Sequence, residues 1–201
     1  MVGDGFDPCG GASIYKRIDG NWTEKAYLQP YEECRSRGYG FAVALDTSAG
    51  VTTAIVGSPL DSSVGIINGG AAFVYDNSNN GTEWNLQAKV TASDGKAFDD
   101  FGWSVDINGD FAMISSSVSK KGHTYVYRRQ GTSSWEQMSR IDSPVDEDYF
   151  GHSVSIADKT AVVGGYGYTY IFAEFPQGTW SLQDKLTRGS DWTGEKSWTL
   201  M

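Results

Sequence analysis

Two stretches of this chain spell nearly the same sentence. FGWSVDINGDFAMI runs from Phe101 to Ile114, and FGHSVSIADKTAVV runs from Phe150 to Val163. Each is Phe-Gly, any residue, Ser-Val, an Ile, a short polar turn and a second apolar run. A third motif follows them: GAAFVY at Gly70–Tyr75, GHTYVY at Gly122–Tyr127 and GYTYIF at Gly167–Phe172, with a further copy, GASIYK, at Gly11–Lys16. After each comes a turn and a tryptophan, at Trp22, Trp84, Trp135 and Trp180. Each Trp opens an alternating stretch such as WNLQAKVTA or WSLQDKLT, the period-two pattern of a strand with two unlike faces.

One unit is therefore four short strands: one after Phe-Gly, one in the apolar run (AIVG, AMIS, AVVG), one in the Gly-aromatic motif and one from Trp onward. Four strands recurring every ~45–60 residues is the signature of propeller blades. A lone four-stranded sheet cannot cover its own two faces, so such units stack and cover one another. Asn108-Gly109 predicts a type I′ hairpin, because both residues accept positive φ at low cost. The fold expected is all-β: a single repeat domain over 1–201 made of β-propeller blades of four antiparallel strands. It divides into a half blade at 10–38, whole blades at 39–100, 101–149 and 150–190, and a tail at 191–201.

Composition agrees with this reading. Apolar residues make up 39% and charged residues 20%, which suits a folded chain, and 25 Gly against 5 Pro suit many tight turns. The formal net charge is −9. Phosphate contacts need a basic face, so nucleic acid is not an expected partner. The basic pairs Lys120-Lys121 and Arg128-Arg129 read as solvated turn or edge residues. No apolar run nears the ~20 residues of a membrane helix, and no signal peptide is visible at the start.

The motifs resemble FG-GAP repeats, the blade sequence of integrin α-subunit propellers and of many secreted or surface proteins. Phe-Gly, AIVGSP at Ala54–Pro59 and GGAAFVY at Gly69–Tyr75 carry the resemblance, with Gly-Ser-Pro where the family has Gly-Ala-Pro. It covers most of residues 10–190. The unit at Tyr39-Gly40 has Tyr for Phe, and only that unit keeps the Pro. The resemblance implies a propeller and invites calcium, which integrin-like blades hold in Asp-rich turns between strands one and two. Here those turns are DINGD (Asp106–Asp110), IADKT (Ile156–Thr160) and LDTSAGVTT (Leu45–Thr53). Two are too short for a cage and the third carries one carboxylate, so no cofactor is expected. Acids also gather between blades, in SDGKAFDDFG (Ser93–Gly102) and DSPVDEDYFG (Asp142–Gly151). Turn formation and solubility account for them; the alternatives are a recognition patch for a basic partner or a weak cation site, with Asp94, Asp99 and Asp100 as the candidate ligands.

Candidate contact residues are Phe41, Trp103 and His152, the variable trio that follows each aromatic-Gly pair; packing between blades is their competing role. His123 aligns with Ala71 and Tyr168, so packing is expected of it too. The recurrent Trp residues are assigned to packing. No nucleophile elbow, zincin helix or phosphate loop is present, and no spacing favours a glycosidase carboxylate pair. Cys9 and Cys34 bracket the half blade, where a disulfide would contribute on the order of 3 kcal/mol and imply an oxidising compartment. Sequons at Asn21 and Asn80 point the same way. A secreted, cell-surface or organelle-lumen protein follows from these features with the resemblance.

Three functions fit: a non-enzymatic binding or adhesion module for a protein or glycan partner, a structural subunit of a larger assembly, and, with least support, a hydrolase. The half blade leaves an open edge, which is expected to pair with the tail, with another chain or with further sequence. Ile14 and Leu28 are expected near that open face.

Overall fold

The computed structural model describes residues 1–5, 10–30, 37–62, 64–77, 83–116, 121–145, 149–175 and 178–187. They hold fifteen strands: β1 (Val2–Asp4), β2 (Gly11–Ile18), β3 (Asn21–Leu28), β4 (Ala42–Ser48), β5 (Val51–Ser58), β6 (Ala71–Asp76), β7 (Asn85–Val90), β8 (Val105–Asn108), β9 (Phe111–Ser116), β10 (His123–Gln130), β11 (Ser134–Asp142), β12 (Ser153–Ala157), β13 (Thr160–Gly164), β14 (Tyr168–Phe175) and β15 (Thr179–Thr187). There is no helix among the described residues. The strands form four antiparallel meanders, β1-β2-β3, β4-β5-β6-β7, β8-β9-β10-β11 and β12-β13-β14-β15. These are propeller-like blades, called here the first to the fourth.

The first blade departs from the expected half blade. Val2–Asp4 adds a strand against β2, with Val2 opposite Ser13 and Asp4 opposite Gly11. That places β1 where the second strand of the other blades lies. Its repeat register is also one residue off the expected alignment. Every blade has a β-bulge between its last two strands, at Ile14/Tyr15, Val74/Tyr75, Val126/Tyr127 and Ile171/Phe172. Superposing the bulges sets Gly10, not Gly11, beside Gly70. A bulge increases local twist, which lets each sheet coil against its neighbour. The Asn108-Gly109 turn differs as well. Asn108 pairs with Phe111, so Gly109 and Asp110 are central. Only Gly109 has positive φ, the II′ pattern. Type I′ geometry occurs instead at Asp19-Gly20 and Ala49-Gly50, where both central residues are at positive φ.

The seams between blades explain the repeated words. Tyr39, Phe101 and Phe150 are fully buried. Each meets aromatic rings of its own third strand edge-on: Tyr39 with Phe73 at 5.2 Å, Phe101 with Tyr125 at 5.4 Å, Phe150 with Tyr170 at 5.3 Å. Those rings face the preceding blade, whose contribution is aliphatic: Ala12, Ile14 and Leu28 in the first seam, Ile55, Val74 and Val90 in the second, Met113, Val126 and Ile141 in the third. Ile14 and Leu28 thus lie buried in a seam, not on an open face. The glycine of each pair sits at φ 88, 96 or 87, and its N–H donates to the second strand, at Gly57, Ser115 and Gly164. At Gly102 a Cβ would lie 2.3 Å from the carbonyl oxygen of Ala71, so backbone of adjacent blades touches there.

Polar side chains close the seams near the innermost strands. The N–H groups of Val154 and Ile156 in β12, and of Asp158 just after it, donate to Ser104 Oγ just before β8 and to Asp106 Oδ2 and Asn108 Oδ1 within β8, at 3.2, 2.8 and 2.9 Å. A bond of this kind joins the N–H of Gly109, in the turn after β8, to Asp46 Oδ2 of β4 at 3.0 Å. An innermost strand has one edge without a sheet partner, and these side chains satisfy it.

Candidate functional site

Antiparallel pairing gives every blade two ends. One carries the linkers between blades and the connections from second to third strand; the other carries the tight hairpin turns. Phe41, Trp103 and His152 all stand at the linker end, each just after the buried aromatic-Gly pair. The structure brings them together. The rings of Phe41 and Trp103 are 4.6 Å apart and those of Trp103 and His152 are 6.3 Å apart. Three consecutive blades therefore contribute one line of rings. Phe41 and His152 are exposed and Trp103 is half-buried, so the line is open to solvent and is not sealed in a seam.

The line runs into a hollow of about 620 Å³ bordered by Tyr149, His152, Gly165, Tyr166 and Gly167. Tyr166 is 80% exposed. Tyr149 is also exposed and has φ 51. A left-handed backbone at a bulky residue is strained, by roughly 1–2 kcal/mol. The fold demands positive φ at this place, because Gly38 and Asp100 occupy it in the second and third blades at φ 72 and 49. Glycine would meet that demand without strain, yet the fourth blade sets an exposed phenol beside the hollow. Tyr149 also accepts the backbone N–H of His152 at 3.1 Å, which fixes the two residues together. Sequence reasoning missed Tyr149 and Tyr166; the adjoining Phe150-Gly151 pair was the available signal.

The acidic candidates do not share a site. Asp94 accepts Tyr125 Oη–H at 3.1 Å and is ion-paired to Arg140 Nη1. Partial burial opposes its charge, but the Arg140 and Tyr125 hydrogen bonds outweigh that and hold its carboxyl below the usual carboxylate range. Arg140 Nε also donates to Asp142 Oδ1 at 2.6 Å, and His123 Nδ1 lies 2.8 Å from the same oxygen. His123 is thus part of a polar network that ties the linker to the third blade, not the packing residue its alignment suggested. Asp99 Oδ2 accepts the Lys96 N–H of its own turn at 2.6 Å. Asp100 is buried, its Oδ1 has no hydrogen-bond partner, and burial together with the neighbouring Asp99 charge raises its pKa to about 6. Among the described residues no three His, Cys, Asp or Glu side chains converge as metal ligands.

Arg129 departs from its expected solvated role. It is largely buried, reaches from β10 to the second blade to donate from Nη2 to Thr53 Oγ1 at 2.6 Å, and lies 4.8 Å over the ring of its own Trp135. Trp84, Trp135 and Trp180 pack in successive seams as expected. Trp22 does not; it is 71% exposed. Asn21 opens β3 beside the Asp19-Gly20 turn and is exposed. Asn80, Cys9, Cys34 and the tail at 191–201 lie outside the described residues. No helix of the described residues is long and apolar enough to cross a membrane.

Comparison with known proteins adds two findings. Residues 84–127, from the Trp of the second blade to the Gly-aromatic motif of the third, match the model of the FG-GAP repeat. Among solved structures the chain is similar to a crystal structure of a protein from Lactobacillus plantarum, with a TM-score of 0.58 and 16% identity over 88% of this chain and 51% of that one. The chain therefore spans about half of that neighbour's length, and at this identity the likeness concerns fold alone. A search of curated proteins finds no match.

Proposed function

For a chain that carries an FG-GAP repeat within a row of propeller-like blades, we propose a non-enzymatic binding module whose ligand side is the linker end. One observation carries the reading: Phe41, Trp103 and His152, from three different blades, form one solvent-open line of rings that ends at a hollow. Exposed aromatics on a rigid frame supply contact area at low conformational cost, which is why Tyr and Trp dominate recognition surfaces. The strained, exposed Tyr149 supports the same face. A protein segment or a glycan chain is the partner class. The exposed sequon at Asn21 supports a secreted, surface or lumenal setting.

Glycan and peptide arrays probed with the wild-type chain, Trp103→Ala and Tyr166→Ala test this. A ligand bound by wild type and weakened at least tenfold by both variants is expected. A ligand indifferent to both, or no ligand on either array, would overturn it.

A second reading, attachment to a larger assembly, is favoured by the first blade. Its Trp22, Tyr15 and Tyr27 are exposed at 71, 39 and 55%, whereas Trp135 at the equivalent of Trp22 is 8% exposed. This face is the proposed contact with another chain or with further sequence. Trp22→Ser should lower association in sedimentation runs while leaving array binding intact.

A further inference from the structure

We propose a second binding site at the hairpin end, in the crevice between the second and third blades, for a neutral sugar of hexose size. The crevice measures about 580 Å³. Asp76 and Gln87 border it from the second blade; Asp110, Arg129 and Thr132 border it from the third. Its rim includes Gly109 and Gly131, both at turns where the absent side chain leaves room for a ligand to approach the backbone.

The donor and acceptor set selects the ligand class. Two carboxylates stand beside one guanidinium, so an anion entering the crevice meets more repulsion than attraction. A hard cation wants several carboxylates converging on one point, and Arg129 occupies the space between Asp110 and Thr53. A polyol suits both signs. Its hydroxyls donate to Asp110 and the Gln87 carbonyl, and accept from Arg129 and the Gln87 amide. Arg129 is held for such a role. Its Nη2 is fixed by Thr53 and its plane lies over Trp135. Its Nε lies 3.3 Å from Asp110 Oδ1, yet the N–H is not aimed there and the buried nitrogen has no hydrogen bond. The Nε–H thus has an ion-pair partner but no aligned acceptor, and a ligand oxygen placed in line would recover part of that loss.

The repeat sets this crevice apart from its counterparts. Superposed on the bulges, Arg129 corresponds to Asn77 in the second blade and Glu174 in the fourth. The backbone around that position is constant: Asn77, Arg129 and Glu174 each donate their N–H to the hairpin of the first two strands, at 3.0, 2.8 and 2.9 Å. The first blade also has an arginine there, Arg17, but it is exposed and its Nε donates to Gly20 O at 3.3 Å. Among the three crevices between described blades the guanidinium belongs to one.

The test is a titration of the whole chain with glucose, galactose and N-acetylglucosamine, followed by backbone amide NMR. Saturable shifts of the Gly109 and Gly131 amides at millimolar sugar are expected, with Gly165 and Gly167 at the opposite end unmoved. Gln87→Ala and Thr132→Ala, both away from the Arg129 contacts, should weaken the sugar at least fivefold with unchanged melting. Shifts confined to Gly165 and Gly167 would refute this site while favouring the linker-end site. Shifts matched by glycerol at equal concentration, movement by calcium but by none of the sugars, or no movement at all would also overturn it.

Discussion

Asp100 concentrates several demands in one residue. It precedes the buried Phe101, adopts φ 49, and carries a buried oxygen with no hydrogen bond. Aspartate tolerates the left-handed region better than most residues, which fits the backbone; the charge is what the site accommodates badly. A carboxyl at about 6 holds its proton more tightly folded than unfolded, where the value is near ~3.9. Its penalty is therefore absent below about pH 4, grows as pH rises toward 6, and is complete above that. Asp100→Asn keeps the backbone preference and removes the charge. The variant should melt with wild type near pH 4 and above it at pH 7; parallel melting profiles at both pH values would count against this account. The sequence showed Asp100 only as one acid among several. Its burial depends on the linker lying along the loop before β6, where its N–H donates to Asn68, and no local pattern encodes that docking. The aromatic trio was legible because it holds a fixed place after each aromatic-Gly pair. Tyr149 and Tyr166 fall in connections whose course the repeat does not specify.

Between neighbouring innermost strands, stability differs from seam to seam. Asp106 accepts both Ile156 N–H and Ser155 Oγ–H, at 2.8 and 3.0 Å, whereas Asp46 accepts Gly109 N–H. Removing Asp106 strips an acceptor from a half-buried backbone donor, for which ~1–3 kcal/mol is expected. Asp106→Ala should therefore cost more than Asp46→Ala in urea unfolding, and equal losses would show that solvent replaces both. Strand existence and order were readable from alternation and from the Trp and Gly-aromatic words. β1 was not, since three residues carry no periodicity. The one-residue offset of the first blade was hidden for a related reason. Gly11 lies where other blades have Ala71, His123 and Tyr168, and a side chain there would strike the Tyr27 ring. The adjacent glycines Gly10 and Gly11 offered two alignments, and only the bulge chooses between them.

At the scale of the whole molecule, the seams are the core. Phe101 packs on Tyr125 and Tyr127 against aliphatic groups of the second blade. Phe101→Ala should cost ~3–5 kcal/mol, and circular dichroism melts would show it. Chelation should do little by comparison, because Asp94 and Asp99 are engaged by Arg140 and Lys96. EDTA is expected to leave the melting temperature unchanged; a fall of several degrees reversed by calcium would contradict this. Every seam is also asymmetric, with rings given by the later blade and aliphatic groups by the earlier one. A blade is thus a tile with unlike edges, and its left edge fits the right edge of its own kind. An extra copy of the third blade, spliced in after the original, would find a matching edge on each side. A gene of this design can lengthen by duplicating one cassette.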